Sequence, residues 1–161
     1  MASRSTKAKP HIGWREWVIL PEMSSTPLKA KIDTGARTSA LHAFDLTVQE
    51  RGGEPWVEFV VHPVQRSTVD AKRVAYPIQG YRKVRSSTGH SELRPVIRTT
   101  VVIGGRRFAI DVTLTARDEM GFRMLLGRAA LRRRFLVDAG RSYLHPLPTN
   151  PDENEARENA P

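Results

Sequence analysis

The sequence predicts a mainly β fold, a small barrel of short strands closed by one short C-terminal helix. Three observations predict it. Segments rich in Val, Ile, Thr and aromatic residues recur along the chain. The pair Gly104-Gly105 separates two of them as a hairpin turn does. Only one segment, late in the chain, reads as a helix, and many strands with a single helix point to a small barrel or sandwich.

The elements follow in order. Residues 17–20 are a short apolar run ended by Pro21. Leu28, Ala30 and Ile32 alternate with Lys29 and Lys31, the pattern of a half-buried strand, and lead straight into Asp33. Residues 56–62, 69–76, 96–103 and 107–114 are the next strands, the last two joined at Gly104-Gly105. Residues 128–135, arginine-rich and placed just after Gly127, form the helix. Polar, basic residues 1–12 are expected to be a flexible arm, 13–147 the folded domain, and 148–161 a disordered acidic tail.

Composition bounds the function. A chain of 161 residues suits one domain with a real core. No apolar run approaches a membrane span and no secretory signal is visible, so a cytoplasmic protein without membrane contact is expected. The absence of cysteine excludes disulfides, zinc-thiolate sites and thiol catalysis. The net charge of +9 is uneven. Arg82, Lys83, Arg85, Arg106, Arg107, Arg132, Arg133 and Arg134 concentrate it, while the tail carries Asp152, Glu153, Glu155 and Glu158. Such a surface attracts acidic partners such as RNA, ribosome or a glutamate-rich peptide; the plainer reading is a solvated face that aids solubility.

The stretch Lys31-Ile32-Asp33-Thr34-Gly35-Ala36 carries the sharpest chemical signal. An aspartate closes a strand, and Thr34, Gly35 and Ala36 follow as loop support. Glycine lets the backbone turn back sharply, and the threonine hydroxyl can brace the turn. Aspartic peptidases present a catalytic carboxylate in this way, although a Thr-Gly pair after Asp is also ordinary turn chemistry. Later, Met124-Leu125-Leu126-Gly127-Arg128 places an apolar pair and a glycine before the helix. Taken alone this is a buried strand entering a helix.

Together with Arg37-Thr38-Ser39-Ala40-Leu41-His42, Arg85-Ser86-Ser87-Thr88-Gly89-His90, Arg94-Pro95-Val96-Ile97 and Val137-Asp138, these motifs resemble a known family. They are similar to the small bacterial retropepsin-like aspartic peptidases often labelled ATP-dependent zinc proteases, some found beside the glutamate ligase that modifies a ribosomal protein. The resemblance covers most of the folded body. It implies a retropepsin-like barrel in which Asp33 is catalytic and Leu125, Leu126, Gly127 and Arg128 pack against its loop. It also makes Ser86, Ser87, Thr88 and Gly89 the tip of a flap over the cleft, where a small-residue hairpin opens and then excludes water. An ordinary surface hairpin is the alternative.

The label itself finds little in the residues. No Gly-rich loop ending in Lys-Ser/Thr is present to cradle ATP phosphates. His11, His42, His62, His90 and His145 are scattered, without His-Glu-x-x-His, so no metal and no cofactor are expected. Viral retropepsins carry an acidic or amide residue after the catalytic turn and an Arg-Asn or Arg-Asp pair after the late glycine. Here Arg37 and Arg128-Ala129 stand instead. Arg37 either binds an acidic side chain or C-terminal carboxylate of a substrate, or pairs with a nearby Asp or Glu.

Peptide hydrolysis by this chemistry needs two carboxylates sharing one proton, and the chain has one Asp-Thr-Gly. A two-fold homodimer supplies the second Asp33. Asp138, in Val137-Asp138-Ala139-Gly140, is the internal rival and reads as a turn residue; Asp111 reads as the outward residue of a strand. The expected function is an aspartic endopeptidase acting on acidic peptides. The competing one is a non-catalytic basic barrel that docks on RNA, ribosome or a modifying enzyme.

Overall fold

In the computed structural model, which describes residues 8–85, 88–116 and 121–149, the described residues form twelve strands and one short helix. Strands β1 (His11–Gly13), β2 (Arg15–Val18) and β3 (Leu28–Ile32) lead to Asp33. Then come β4 (Ser39–His42), β5 (Phe44–Arg51), β6 (Glu54–Val61), β7 (Lys72–Pro77), β8 (Gly80–Arg85), β9 (Ser91–Ile103) and β10 (Arg106–Thr115). The chain closes with β11 (Met124–Leu126), helix α1 (Arg128–Leu131) and β12 (Leu136–Asp138). The fold is mainly β, as the strand-rich sequence predicts, and among the described residues no helix is long and apolar enough to cross a membrane.

One sheet runs β2-β3-β11-β4-β10-β9-β8, a second β5-β6-β7, and β1 pairs with β12. The middle of the large sheet positions the site. Strand β11 lies parallel to β3, with Leu126 opposite Ile32, and antiparallel to β4, with Leu125 opposite Ala40. The C-terminal ends of β3 and β11 and the start of β4 therefore meet at one pole of the molecule. Inward residues of both larger sheets share a single buried cluster, including Leu28, Leu41, Phe59, Ile97, Val112 and Leu126. Each such side chain contributes about 1.5–3 kcal/mol relative to exposure, which holds the strand ends at that pole in place.

Three expectations are corrected in detail. The strand expected over 69–76 begins at Lys72. Ser67 Oγ accepts the Val69 N–H at 3.0 Å and Asp70 has φ of 60°, so local turn chemistry outweighs β-propensity there. The helix expected over 128–135 ends at Leu131, because Arg133 turns into the left-handed region at φ 66°. His11 and Ile12, assigned to the arm, form β1 against β12, and Ile12 is fully buried. Residues 1–7, Ser86, Ser87 and the tail from 150 to 161 lie outside the described residues.

Strands β5 and β8 escape a sequence reading because they are polar. Five consecutive residues of β5, from Thr47 to Arg51, are exposed. Their ladder with β6, not an apolar face, makes them a strand.

Candidate active site

Asp33 follows the last residue of β3, half-buried at the rim of the pole. Its N–H donates to the Leu126 carbonyl at 2.8 Å, so the turn hangs from the strand beneath it. Its carboxylate Oδ1 accepts the Gly35 N–H at 3.1 Å, which fixes the side chain's direction. Ala36 N–H closes the turn on the Asp33 carbonyl at 3.2 Å.

Gly35 is required for a reason other than turn freedom. It is not among the glycines with positive φ. A Cβ there would lie 3.3 Å from Asp33 Oδ1 and crowd the carboxylate. The expected bracing by Thr34 is also corrected, since its hydroxyl makes no hydrogen bond within the described residues and the side chain is exposed. Arg128 braces instead, donating from Nη1 to the Thr34 carbonyl at 2.9 Å.

The late segment sits against the loop. Leu126 is fully buried and Leu125 half-buried. Gly127 passes so close to the loop that a Cβ would lie 2.7 Å from the Thr38 carbonyl and 2.9 Å from the Ala36 oxygen. The crossing is stitched by Gly127 N–H to Ser39 Oγ at 3.2 Å, Arg128 N–H to the Ala36 carbonyl at 2.8 Å, and Ala129 N–H to the Arg37 carbonyl at 3.0 Å.

Beside this loop opens a cavity of about 370 Å³. Arg37, Arg82, Arg98 and Arg134 line it with a single carboxylate, Asp111. Asp111 already holds Arg98 at 3.1 Å, Arg82 donates to Thr38 Oγ1 at 2.9 Å, and Arg134 lies 4.1 Å over the Phe108 ring. Arg37 has no acidic partner among the described residues. The positive charge expected of Arg37 is thus multiplied by three arginines that sequence reading saw only as general basicity. For Arg82 the alternation along β8 is the signal that could have found it, since Arg82 and Val84 are half-buried while their neighbours are exposed.

Strands β8 and β9 form the expected hairpin, with Arg85 opposite Ser91 and exposed Thr88 and Gly89 in the turn, Gly89 at φ 86°. Its inner face reaches the loop through Arg82. Asp138 accepts the Gly140 N–H at 3.0 Å and pairs in register with Gly13, a turn role as read from sequence.

Among the described residues no three His or carboxylate side chains converge on one point. His42 is buried with Nδ1 facing Arg123 at 3.3 Å and Nε2 facing the Ala116 carbonyl at 3.2 Å. His62 stacks on Phe44 instead, at 3.8 Å.

Comparison with known proteins agrees with this geometry. Proteins named "Probable alpha-L-glutamate ligase" from Shewanella pealeana and Desulfotalea psychrophila are each 42% identical, over 132 and 131 residues, or 82% and 81% of this chain. The chain spans only 29% and 28% of those relatives, so it matches one part of longer proteins. A crystal structure of a Legionella pneumophila protein with unknown function (DUF785) superimposes with a TM-score of 0.70 at 28% identity, covering 85% of this chain and 98% of that one. The sequence model described as "Retropepsin-like aspartic endopeptidase RimB" matches residues 11–148, and the chain belongs to this RimB-like family.

Proposed function

We propose that the protein is an aspartic endopeptidase in which Asp33 of two copies meet across a two-fold axis. The observation that carries this reading is the Asp33 carboxylate itself, aimed by the Gly35 N–H on a rim hung from β11. Two such carboxylates a few ångströms apart hold one proton between them. The ionised one takes a proton from water as it attacks the peptide carbonyl. The protonated one donates to the forming oxyanion; the carboxyl that took water's proton then passes it to the nitrogen, and the gem-diol returns a proton to the dyad as it collapses and expels the amine, without a covalent intermediate.

The arginine-lined cavity supports an acidic peptide as substrate, because fixed guanidiniums recognise carboxylates in bidentate fashion. The match to part of proteins named "Probable alpha-L-glutamate ligase" supports the same class, since glutamate is acidic. It also fits association with a modifying enzyme of the ligase type. The experiment is cleavage of an acidic and a neutral peptide by the wild type and by Asp33→Asn. The wild type should cleave the acidic peptide and the variant should lose that activity while keeping its fold. Full activity in the variant would refute the reading. The second reading, a basic module docking on RNA, is favoured by the same arginine cluster; it predicts salt-sensitive RNA binding that survives Asp33→Asn.

A further inference from the structure

The four guanidiniums that face the cavity beside the loop are not held alike. Arg98 pairs with the Asp111 carboxylate at 3.1 Å. Arg134 lies 4.1 Å over the Phe108 ring and donates from Nη1 to the Ala130 carbonyl at 3.3 Å. Arg82 rests on a neutral hydroxyl, its Nη1 donating to Thr38 Oγ1 at 2.9 Å. A guanidinium on a hydroxyl uses one arm of its fork, whereas a carboxylate takes two N–H groups side by side and carries the opposite charge. Of the three bonded guanidiniums, Arg82 therefore has the most to gain from an incoming carboxylate.

That bond joins two parts of the fold that share no strand pairing. Arg82 is on the half-buried face of β8, the last strand of the large sheet, which pairs with β9. Thr38 lies 44 positions earlier, between Arg37 of the loop and the first residue of β4. Its main chain is fixed on both sides. The Arg37 carbonyl accepts the Ala129 N–H at 3.0 Å, Ser39 Oγ accepts the Gly127 N–H at 3.2 Å, and Gly127 passes against the Thr38 carbonyl. The main chain at Arg82 is likewise held opposite Arg94 in the β8–β9 ladder. The Arg82 side chain is the movable member of the contact, and it lines the cavity into which it can turn.

We propose that Arg82 is a specificity-determining residue that exchanges Thr38 for a side-chain carboxylate of the bound peptide. The inference rests on the acidic-peptide reading above. An acidic side chain entering the cavity beside Arg37 finds Arg82 already placed and bound to a neutral acceptor, so little order has to be imposed on it. A neutral peptide brings no acceptor better than the hydroxyl already there, and Arg82 stays on Thr38. Discrimination then comes from the difference between two acceptors for one guanidinium, and not from net charge. In the bound state β8 is tied to the loop through the peptide itself.

The test is calorimetric binding of a glutamate hexapeptide and its glutamine counterpart to the full-length Asp33→Asn protein, which removes cleavage from the measurement, at constant ionic strength. Arg82→Gln should weaken the glutamate peptide at least about tenfold and leave the glutamine peptide within about twofold. Arg82→Lys keeps the charge and loses the fork, so it should recover part of that loss without reaching the unsubstituted affinity. Thr38→Val removes the competing acceptor and should tighten the glutamate peptide about threefold; a bond that merely braces the fold predicts the opposite sign. Full affinity in Arg82→Lys, weaker binding in Thr38→Val, or affinity that ignores Arg82→Gln overturns the proposal. The two readings fail separately. If the protein with Asp33 intact cleaves nothing while these affinities hold, the peptidase reading falls alone; if it cleaves acidic peptides while binding ignores Arg82, this one does.

Discussion

Replacing Gly127 by alanine tests the chain crossing that holds the candidate catalytic loop. The added Cβ would lie 2.7 Å from the Thr38 carbonyl carbon and oxygen and 2.9 Å from the Ala36 oxygen. These are backbone atoms and cannot rotate away. Ordinary contact requires the two segments to part by roughly 0.5 Å or more, since carbon contacts are optimal near 3.5–4.0 Å. That opening stretches the three bonds joining the segments, from Gly127, Arg128 and Ala129. Overpacking costs about 1–3 kcal/mol, and weakening bonds worth about 1 kcal/mol each brings the total to about 3–4 kcal/mol. For a domain of this size the loss should lower Tm by roughly 10 °C. Gly35→Ala is the comparison. Its Cβ meets only the movable Asp33 Oδ1 at 3.3 Å, so it should cost about 1 kcal/mol or less and act on activity instead. Tryptophan-monitored urea and thermal unfolding of both variants, with peptide cleavage alongside, reads the two effects separately. A Gly127→Ala protein within about 2 °C of wild type would refute the reasoning.

Two further outcomes follow from buried charge. Glu16 is 1% exposed and its carboxylate accepts the Leu144 N–H at 2.6 and 3.1 Å, so Glu16→Ala should cost about 2 kcal/mol and raise amide exchange over residues 141–145; unchanged exchange there would count against this tie. The His62 pKa is lowered, so between its folded value and the ordinary 6.5 the unfolded chain binds more protons than the native one. Its contribution to stability is complete above pH 6.5 and is lost as pH falls through that window, and His62→Gln should flatten this part of the Tm–pH curve. An NMR titration placing His62 at or above 6.5 would contradict the sign.

Much of the strand framework could be read from local pattern. Leu28, Ala30 and Ile32 alternate because one face of β3 is buried and the other is not. The Gly104-Gly105 turn, with φ of 58° and 74°, needs residues that tolerate positive φ. The role of Gly127 as a close crossing also survives, because a single residue type satisfies it. What escaped depends on contacts between distant segments. Arg128 is read as packing against the loop, but its bond to the Thr34 carbonyl, 94 positions away in sequence, follows from no spacing rule. The cluster of Arg37, Arg82, Arg98 and Arg134 gathers residues from the loop, β8, β9 and the turn after α1, and no spacing rule links them. Ile12 looked like part of a polar arm because burial in a two-residue apolar context is decided by its partner strand β12.

The partner of Asp33 is the remaining physical question, and strands β1 and β12 constrain the answer. Strand β1 pairs with β12 of its own chain. The following segment stays on the same body, through Trp14 N–H to the Arg141 carbonyl at 2.9 Å and Tyr143 N–H to the Arg15 carbonyl at 3.0 Å. Backbone groups of these segments, already paired within one chain, offer little to a second. In the proposed dimer a copy would instead meet the rim, where Thr34 and Gly35 are exposed and the Thr34 hydroxyl makes no hydrogen bond within the described residues. A contact confined to that rim would make a weak dimer, with specific activity rising with concentration. Mixing makes the prediction sharp. With equal amounts of wild type and Asp33→Asn and random pairing, about half of the wild-type chains sit with a variant copy. Activity per wild-type chain should then fall by about half at concentrations above the dimer Kd. Unchanged activity per wild-type chain would mean that each copy works alone and that the second carboxylate lies within the same chain.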